Sequence, residues 1–227
     1  MKADFAVSVI VPVYNNADIL PETISQLTSF LSREFKGYEL IFVDDGSIDE
    51  SLSLLELAAS ENPNIRLLRH KINMGQQRSS ADGAFAAQED ILISVDCDLP
   101  CKLEDLKNLA IAASNGTELV LGRRTGGRPR VWWRQVGSVC VGLLTSLLYS
   151  YKIGDFGCST GAARRELIDR LRGGTARVIK IQLLEEAKTF AEVDIDASQE
   201  IARKKSGYSF FALFRVMWAV IWYKIAK

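Results

Sequence analysis

Two aspartates, Asp96 and Asp98, directly follow a short apolar run and are the residues of this sequence best suited to chemistry. The run Ile91–Val95 lacks polar alternation, which is typical of a strand buried on both faces of a parallel sheet. In an extended chain, residues i and i+2 point to the same side, so we expect the carboxylates to converge and Cys97 to point to the opposite face. Converging carboxylates are costly unless a cation lies between them. The pair therefore predicts a Mg²⁺ or Mn²⁺ ion that carries a diphosphate, and the alternative is a solvated turn.

The elements that must position these aspartates alternate between strand and helix patterns over residues 1–122. This alternation predicts a doubly wound α/β sheet with parallel strands. Ligands of such sheets bind beyond the carboxyl ends of the strands, so polar clusters at four of those ends predict one site. The predicted strands are Val7–Val13, Leu40–Val43, Ile65–Leu68, Ile91–Val95 and Glu118–Leu121, and the polar clusters are Tyr14–Asn15, Asp44–Asp45, Asn73–Gly75 and Asp96 with Asp98.

Composition and motifs exclude several classes of function. The chain has 227 residues, of which 48% are hydrophobic and 25% charged, as is typical of a globular protein with an ample core. Because 28 basic residues balance 28 acidic ones, we expect no nucleic-acid partner. No GxGxxG follows the first strand and no GxxxxGK[ST] occurs, so neither a dinucleotide-dependent dehydrogenase nor a P-loop enzyme is expected. The one histidine, His70, is expected to be a surface or packing residue, which leaves acid–base chemistry to carboxylates.

The chain after the fifth predicted strand is strongly basic. Such a segment favours a phosphate-bearing ligand, because arginine binds phosphate through two parallel hydrogen bonds. The alternative is a solvated basic loop, or one that contacts anionic lipid head groups. Between Arg123 and Lys152 the basic residues are Arg123, Arg124, Arg128, Arg130, Arg134 and Lys152, and no acidic residue occurs there.

Two apolar stretches bear on whether the chain contacts a membrane. Val136–Tyr151 is shorter than the roughly 20 residues that a membrane span requires. Phe210–Ala226 is apolar nearly all round, and its end carries aromatic residues and lysines, which anchor helices at membrane interfaces. We therefore expect a helix that lies in the membrane surface or dips into it. The alternative is a helix buried in the core or in an interface between copies of the chain.

Four motifs, in this order, resemble those of family 2 glycosyltransferases of the GT-A fold. They are PVYN at Pro12–Asn15, VDDGSID at Val43–Asp49, NMG at Asn73–Gly75 and DCD at Asp96–Asp98. The segments NMGQQRSSADGAF, DCDLP, LGRR, WWRQVGS, GDFGCSTGAARREL and SGYSFF further resemble the branch that glycosylates polyprenyl phosphates, such as dolichol-phosphate mannose synthases and undecaprenyl-phosphate sugar transferases. The resemblance covers nearly the whole chain.

The resemblance implies roles for individual residues. Asp96 and Asp98 would hold the metal on the donor diphosphate, and Asp155, in a D-x-G-C element, would lie beneath the sugar. With Arg134, these are the expected catalytic residues. The implied nucleotide-sugar pocket comprises Pro12, Tyr14, Asn15, Asp44 or Asp45, Gly75, Gln76 and Asp96, and the implied acceptor-phosphate site comprises Arg123, Arg124, Arg134, Ser138 and Lys205.

Two positions depart from the pattern of that branch. Pro100 stands where the branch has a glutamine that can join the metal, so a water is expected to take that place. Gly207 replaces the lysine of an SKYS motif, for which Lys204 or Lys205 would substitute.

The resemblance implies an inverting transfer of one sugar from a UDP- or GDP-linked donor to a polyprenyl phosphate. Such an acceptor is already an anionic nucleophile and needs cations rather than a general base, which suits a chain with one histidine and an arginine-rich segment. A family 2 enzyme that acts on a sugar hydroxyl, with Asp155 as its base, is the nearest alternative. A non-catalytic nucleotide-binding homologue is the other, because of Pro100 and Gly207.

The expected organisation is a catalytic domain over residues 1–205, followed by a membrane-associating helix over 206–227. Residues 1–122 would bind the nucleotide sugar, and residues 123–205, with an apolar helix at 136–151, would bind the acceptor. We expect the protein to be cytoplasmic and attached peripherally to the inner face of the plasma membrane.

Overall fold

The computed structural model describes residues 1–125, 153–171 and 179–197. In these ranges seven strands form one sheet, in the order β3-β2-β1-β4-β6-β5-β7, and six helices accompany it. The strands are β1 (Ala3–Val13), β2 (Phe35–Asp44), β3 (Ile65–Arg69), β4 (Ile91–Ser94), β5 (Leu119–Thr125), β6 (Gly161–Arg164) and β7 (Phe190–Asp196). The helices are α1 (Leu20–Glu34), α2 (Ser51–Glu61), α3 (Gln76–Ala86), α4 (Leu103–Ser114), α5 (Arg165–Leu171) and α6 (Ile179–Glu186).

The central strands are buried on both faces of the sheet. Along β1, Val9 and Val11 pack into one hydrophobic core, and Ile10, which lies between them, packs into the other. β2 alternates in the same way, with Phe42 in the first core and Ile41 in the second. Because successive side chains of a strand point to opposite faces, an apolar run without alternation needs two cores. The prediction of a doubly wound α/β sheet is therefore confirmed.

Six of the seven strands run in one direction. β1 pairs in parallel with β2 and β4, and β2 pairs in parallel with β3. β6 lies antiparallel between β4 and β5, and β7 pairs in parallel with β5. β1 to β5 thus have the common direction predicted for residues 1–122, whereas β6 and β7 were not predicted.

The insertion of β6 determines what reaches the carboxyl edge of the sheet. Gly161, the first residue of β6, pairs with Ser94, the last residue of β4. Because β6 is antiparallel, the chain that precedes it, residues 153–160, arrives at the edge where β4 ends. The expected boundary between the two halves, after residue 122, falls inside β5, so both halves contribute strands to one sheet.

Several sequence-based predictions lie outside the described residues. These are the apolar stretches at 136–151 and 206–227, and the acceptor-site residues Arg134, Ser138 and Lys205. In the ranges that the structure describes, none of the helices combines the length and the apolarity needed to span a bilayer.

Candidate active site

The loops that follow β1 and β2 bind each other at the carboxyl edge of the sheet. Asn15, in the left-handed region at φ 52°, donates its backbone N–H to Ser47 Oγ at 3.0 Å, and its Oδ1 accepts the N–H of Ile48 at 2.9 Å. Tyr14, 45% exposed, lies beside this contact, and Pro12 pairs in register with Val43. The predicted nucleotide-side residues of β1 are therefore held next to those of β2.

Asp44, the last residue of β2, carries a carboxylate oxygen that has no partner among the described residues. Its side chain is fully buried, and Oδ1 accepts the N–H of Ser47 at 3.3 Å. Its Oδ2 is buried and has no hydrogen-bond partner within the described part of the chain. A buried carboxylate oxygen left unpaired is costly, so this atom indicates a place for a ligand group that donates a hydrogen bond.

Asp45, the next residue, instead accepts hydrogen bonds from the protein backbone at both carboxylate oxygens. Its Oδ1 accepts the N–H of Met74 and its Oδ2 accepts the N–H of Gly75, both at 2.8 Å. His70 Nδ1 lies 2.8 Å from Oδ1. Asp45 therefore holds the turn at residues 73–75. Of the two aspartates considered for the nucleoside pocket, Asp44 is the one with an oxygen that has no hydrogen-bond partner in the described ranges.

Gly46 allows the loop after β2 to lie against the turn after β3. It has φ +73°, and a Cβ placed on it would lie 2.7 Å from the carbonyl carbon of Ile72 and 2.8 Å from the backbone nitrogen of Asn73. Both neighbouring atoms are backbone, so neither can move aside as a side chain would. Glycine at this position is what permits the two loops to contact each other.

Asp96 lies in a turn beyond β4, and side chains from two sides of the sheet edge bind it. Gln76 Nε2, at the beginning of α3, donates to Oδ1 at 2.5 Å, and Ser159 Oγ donates to Oδ2 at 2.5 Å. Burial raises the pKa of Asp96 above its ordinary value, and the charge of Asp98 raises it further, whereas the bonds from Ser159 and Gln76 oppose the rise. The carboxylate is thus held at both oxygens, and its surroundings favour the protonated, neutral form.

The two residues after Asp96 differ in burial: Cys97 packs into the core and Asp98 faces solvent. Cys97 is buried in the first core, and burial raises the pKa of its thiol to about 12, which favours the protonated thiol. Asp98 is exposed. The expectation that the DCD motif is extended was wrong, since β4 ends at Ser94 and the motif occupies a turn.

The aspartate pair fits a divalent cation bound to a diphosphate. Mg²⁺ at nucleotide sites is usually held by one or two carboxylates, with phosphate oxygens and waters completing the shell. Within the described ranges, no group of three or more His, Cys, Asp or Glu side chains is arranged to hold a metal. Among those ranges, a cation here would therefore depend on Asp96 and Asp98 for its protein ligands. Its charge would oppose both the burial and the repulsion from Asp98 that raise the pKa of Asp96.

Asp155 forms a two-pronged ion pair with Arg124. Arg124 Nε lies 2.7 Å from Oδ2 and Nη2 lies 3.0 Å from Oδ1, and the two side chains are 19% and 7% exposed, for Arg124 and Asp155. The adjacent Arg123 instead pairs with Asp194 at 2.6 Å, and both of those side chains are about half exposed. Successive residues of a strand face opposite ways, so β5 does not bring the two arginines to one point.

Lys180 fixes the segment that contains Asp155 and Ser159. Its Nζ donates to the carbonyl oxygens of Phe156 at 2.8 Å and Cys158 at 2.6 Å, and it lies 5.1 Å from the centroid of the Phe156 ring. Burial lowers the pKa of this lysine to about 8. Ser159 lies within the segment GDFGCSTGAARREL, but no role was predicted for it, and no local motif marks Lys180 or the contacts of His70.

Comparisons with known proteins agree with this geometry. The family model "Glycosyl transferase family 2" matches residues 8–172. Undecaprenyl-phosphate 4-deoxy-4-formamido-L-arabinose transferases of Proteus mirabilis and of Enterobacter sp. strain 638 are each 32% identical to the chain, over 220 and 225 residues. The alignments cover 95% and 97% of this chain but 66% and 68% of those proteins, so the chain spans about two thirds of their length.

Solved structures confirm the GT-A fold. Glucosyl-3-phosphoglycerate synthase of Mycobacterium tuberculosis, in complex with Mn²⁺, UDP and phosphoglyceric acid, has a TM-score of 0.67 at 18% identity, covering 97% of this chain and 78% of that one. The mannosyltransferase PcManGT of Pyrobaculum calidifontis, in complex with GDP-Man and Mn²⁺, has a TM-score of 0.60 at 20% identity. The alignment covers 95% of this chain and 61% of that one.

Proposed function

The chain belongs to glycosyl transferase family 2, and from this premise we propose that it transfers a sugar from a nucleotide-diphosphate sugar to a polyprenyl phosphate, with inversion at the anomeric carbon. The curated relatives are named for transfer to undecaprenyl phosphate, which supports this class of acceptor. The donor is a UDP- or GDP-linked sugar, since solved proteins of the same fold are in complex with UDP and with GDP-Man.

One observation carries the proposal: the ends of the parallel strands β2 and β4 bring two groups to the same edge of the sheet. These are the Asp44 oxygen that has no partner in the described ranges and the Asp96–Asp98 pair. Asp44 Oδ2 would accept a hydrogen bond from the nucleoside, and the exposed ring of Tyr14 offers it a packing surface. Asn15, Gly75 and Gln76 would border the pocket, and Asp45 would support it through the turn at 73–75.

Asp96 and Asp98 would hold the metal, Mg²⁺ or Mn²⁺. When bound, such an ion neutralises the charge that develops on the departing diphosphate. Gln76 and Ser159 keep the Asp96 carboxylate in place through bonds to both of its oxygens. Pro100 offers no side-chain ligand, so a water would take that position.

The ion pair between Asp155 and Arg124 supports a phosphate rather than a hydroxyl as the acceptor. A polyprenyl phosphate attacks as an anion and does not need a base to remove a proton. Asp155 is held at both oxygens by Arg124, and a carboxylate bound to a guanidinium is a poor base. We assign Asp155 and Arg124 to fixing the loop at residues 153–160, and acceptor binding to Arg134, Ser138 and Lys205.

Attachment to the membrane is part of the proposal. An acceptor with a polyprenyl chain resides in a bilayer, and the apolar segment at 206–227, with its aromatic and lysine anchors, would lie in the membrane surface. The reaction would take place at the cytoplasmic face of the plasma membrane, with the protein bound peripherally to it.

A transfer assay tests the function. The purified chain, Mn²⁺ or Mg²⁺ and radiolabelled UDP- and GDP-sugars are mixed with undecaprenyl phosphate, and the product is extracted into organic solvent. We expect label in the organic phase with one class of donor. Absence of label with every donor, while the nucleotide still binds, would exclude a polyprenyl-phosphate acceptor.

The variant Asp98→Asn tests the metal assignment, because it removes one negative charge and keeps the size of the side chain. We expect the Mn²⁺-dependent part of UDP or GDP affinity, measured by calorimetry, to fall by about tenfold or more, which is about 1.4 kcal/mol. Affinity without metal should change little. Equal Mn²⁺ dependence in the variant and the wild type would contradict the assignment.

A further inference from the structure

His70, the one histidine of the chain, bridges two carboxylates beside the proposed nucleotide pocket. It follows β3, and its backbone N–H donates to the carbonyl of Asp44 at 2.8 Å. Its Nδ1 lies 2.8 Å from Asp45 Oδ1, its Nε2 lies 3.1 Å from Asp82 Oδ2, and its side chain is only 14% exposed. The imidazole therefore connects the ends of β2 and β3 with α3.

The two carboxylates that contact the ring differ in their other partners. Asp82, on α3, also binds Arg78 Nε at 2.7 Å, and Arg78 and Asp82 are one helical turn apart on the protein surface. Asp45, in contrast, is buried and binds the backbone N–H groups of Met74 and Gly75. Of the two contacts of the ring, the one with Asp45 connects His70 to the residues of the proposed nucleotide pocket.

A continuous series of contacts runs from His70 to the metal carboxylate. Asp45 holds Gly75, whose φ of 91° turns the chain into the first residue of α3. That first residue is Gln76, and its amide binds Asp96 Oδ1. A rotation of the Asp45 carboxylate would shift the turn and, with it, the amide that touches Asp96.

We propose that His70 is a positioning residue for donor binding: the N–H at its Nδ1 orients Asp45, and Asp45 sets the turn that presents Gln76 to Asp96. An ionised carboxylate can only accept hydrogen bonds, so the proposal requires a proton on Nδ1. The second contact, from Nε2 to Asp82, is a hydrogen bond only when Nε2 carries a proton as well. The effect on nucleotide affinity rests on the proposed function, whereas the hydrogen bond itself does not.

Two substitutions separate the bonds of the ring. In His70→Asn the amide nitrogen takes the place of Nδ1 and can still donate to Asp45, while in His70→Gln it takes the place of Nε2 and reaches towards Asp82. We expect His70→Gln to weaken Mn²⁺-dependent binding of UDP or GDP by about tenfold, because a hydrogen bond to a charged group is lost, and His70→Asn to stay within about threefold. The control Asp82→Asn should also stay within about threefold.

Denaturation with urea distinguishes positioning from a general loss of stability. Each His70 variant loses one hydrogen bond, so we expect similar unfolding midpoints for both but different nucleotide affinities. Equal affinities in His70→Asn and His70→Gln, with wild-type binding intact, would overturn the role of His70. A wild-type chain that binds neither nucleotide would instead overturn the proposed function together with this role.

Nitrogen NMR of the single histidine tests the hydrogen bond independently of any nucleotide. After labelling with ¹⁵N-histidine, the ring gives one set of signals that needs no assignment to a residue. We expect Nδ1 to carry a slowly exchanging proton, which Asp45→Asn would make exchange faster. An unprotonated Nδ1 in the wild-type chain would contradict the proposal.

Discussion

Replacing Asp155 by Asn separates the two acceptor classes that the sequence left open. The Asp155 carboxylate receives Arg124 at both oxygens, at 2.7 and 3.0 Å, and Oδ1 also accepts the N–H of Gly157 at 3.2 Å. An asparagine keeps one acceptor oxygen. Its NH₂ group replaces the other oxygen, and there two hydrogen-bond donors would face each other. The variant therefore weakens the ion pair while it removes any ability to act as a base.

The burial of the pair sets the cost in stability. Removing one partner of a buried ion pair costs about 3–5 kcal/mol, and because Asn keeps one acceptor we expect a loss of about 2–3 kcal/mol in the free energy of unfolding. Asp194→Asn is the matched control: it breaks the pair made by the neighbouring Arg123, but both side chains are about half exposed. Such a surface pair is worth less than about 1 kcal/mol, so the midpoint in urea should move little.

The transfer rate then identifies the acceptor chemistry. If the acceptor is a phosphate anion, Asp155→Asn should retain its kcat within about tenfold, with the rate corrected for the folded fraction. Loss of a general base costs about 10²- to 10⁴-fold. The assay is transfer to undecaprenyl phosphate with both substrates saturating, at a temperature where the variant is folded. A hundredfold loss of kcat in the folded protein would refute our reasoning and favour a hydroxyl acceptor.

Two further substitutions test the loops that form the site. Gly46→Ala should destabilise the chain by more than Gly116→Ala and should also weaken UDP or GDP binding in calorimetry: both positions have positive φ, which costs about 1–2 kcal/mol, but a Cβ at Gly116 meets nothing within 4 Å. Equal losses would show that the close approach to residues 72–73 is unimportant. For Lys180, the pKa is lowered from 10.5 to about 8 in the folded chain, so between these values the unfolded chain binds more protons and the free energy of unfolding rises with pH. The wild type should gain about 2 kcal/mol relative to Lys180→Met between pH 7 and pH 9.5, measured in urea, and a difference independent of pH would contradict the burial of its charge.

The strands that the sequence predicted are those whose residues show local evidence of burial. Val9, Ile10 and Val11 are all apolar because both faces of β1 are covered, and β2 and β4 follow the same rule. β6 has no such signal, since Gly161–Arg164 reads as a short stretch of small residues. It becomes a strand because β4 and β5 leave a gap of one strand between them, which is a property of the assembled sheet.

The site was predictable to the extent that parallel strands end at one edge. That rule correctly placed Asp44, Asp45 and the DCD motif together, but it could not tell which of Asp44 and Asp45 is available to a ligand. The answer depends on Met74 and Gly75, about 30 residues further along the chain. The family resemblance implied that Arg123 and Arg124 share the acceptor-phosphate site. β5 was predicted to end at Leu121, however, and a strand that continues to Thr125 points the two arginines to opposite sides.

The antiparallel strand β6 explains how residues from both parts of the chain meet at Asp96. Gln76 reaches this carboxylate from the start of α3, in the parallel part of the sheet, whereas Ser159 reaches it from the loop before β6. The charge of Arg124 also acts on Asp96 and opposes the rise in its pKa. Were β6 parallel, residues 153–160 would enter at the opposite edge of the sheet, and neither Ser159 nor the Arg124–Asp155 pair would lie near the proposed metal site. The nucleotide side and the loop of Asp155 therefore meet at Asp96, and the bond from Ser159 to that carboxylate depends on the antiparallel pairing of β6 with β4.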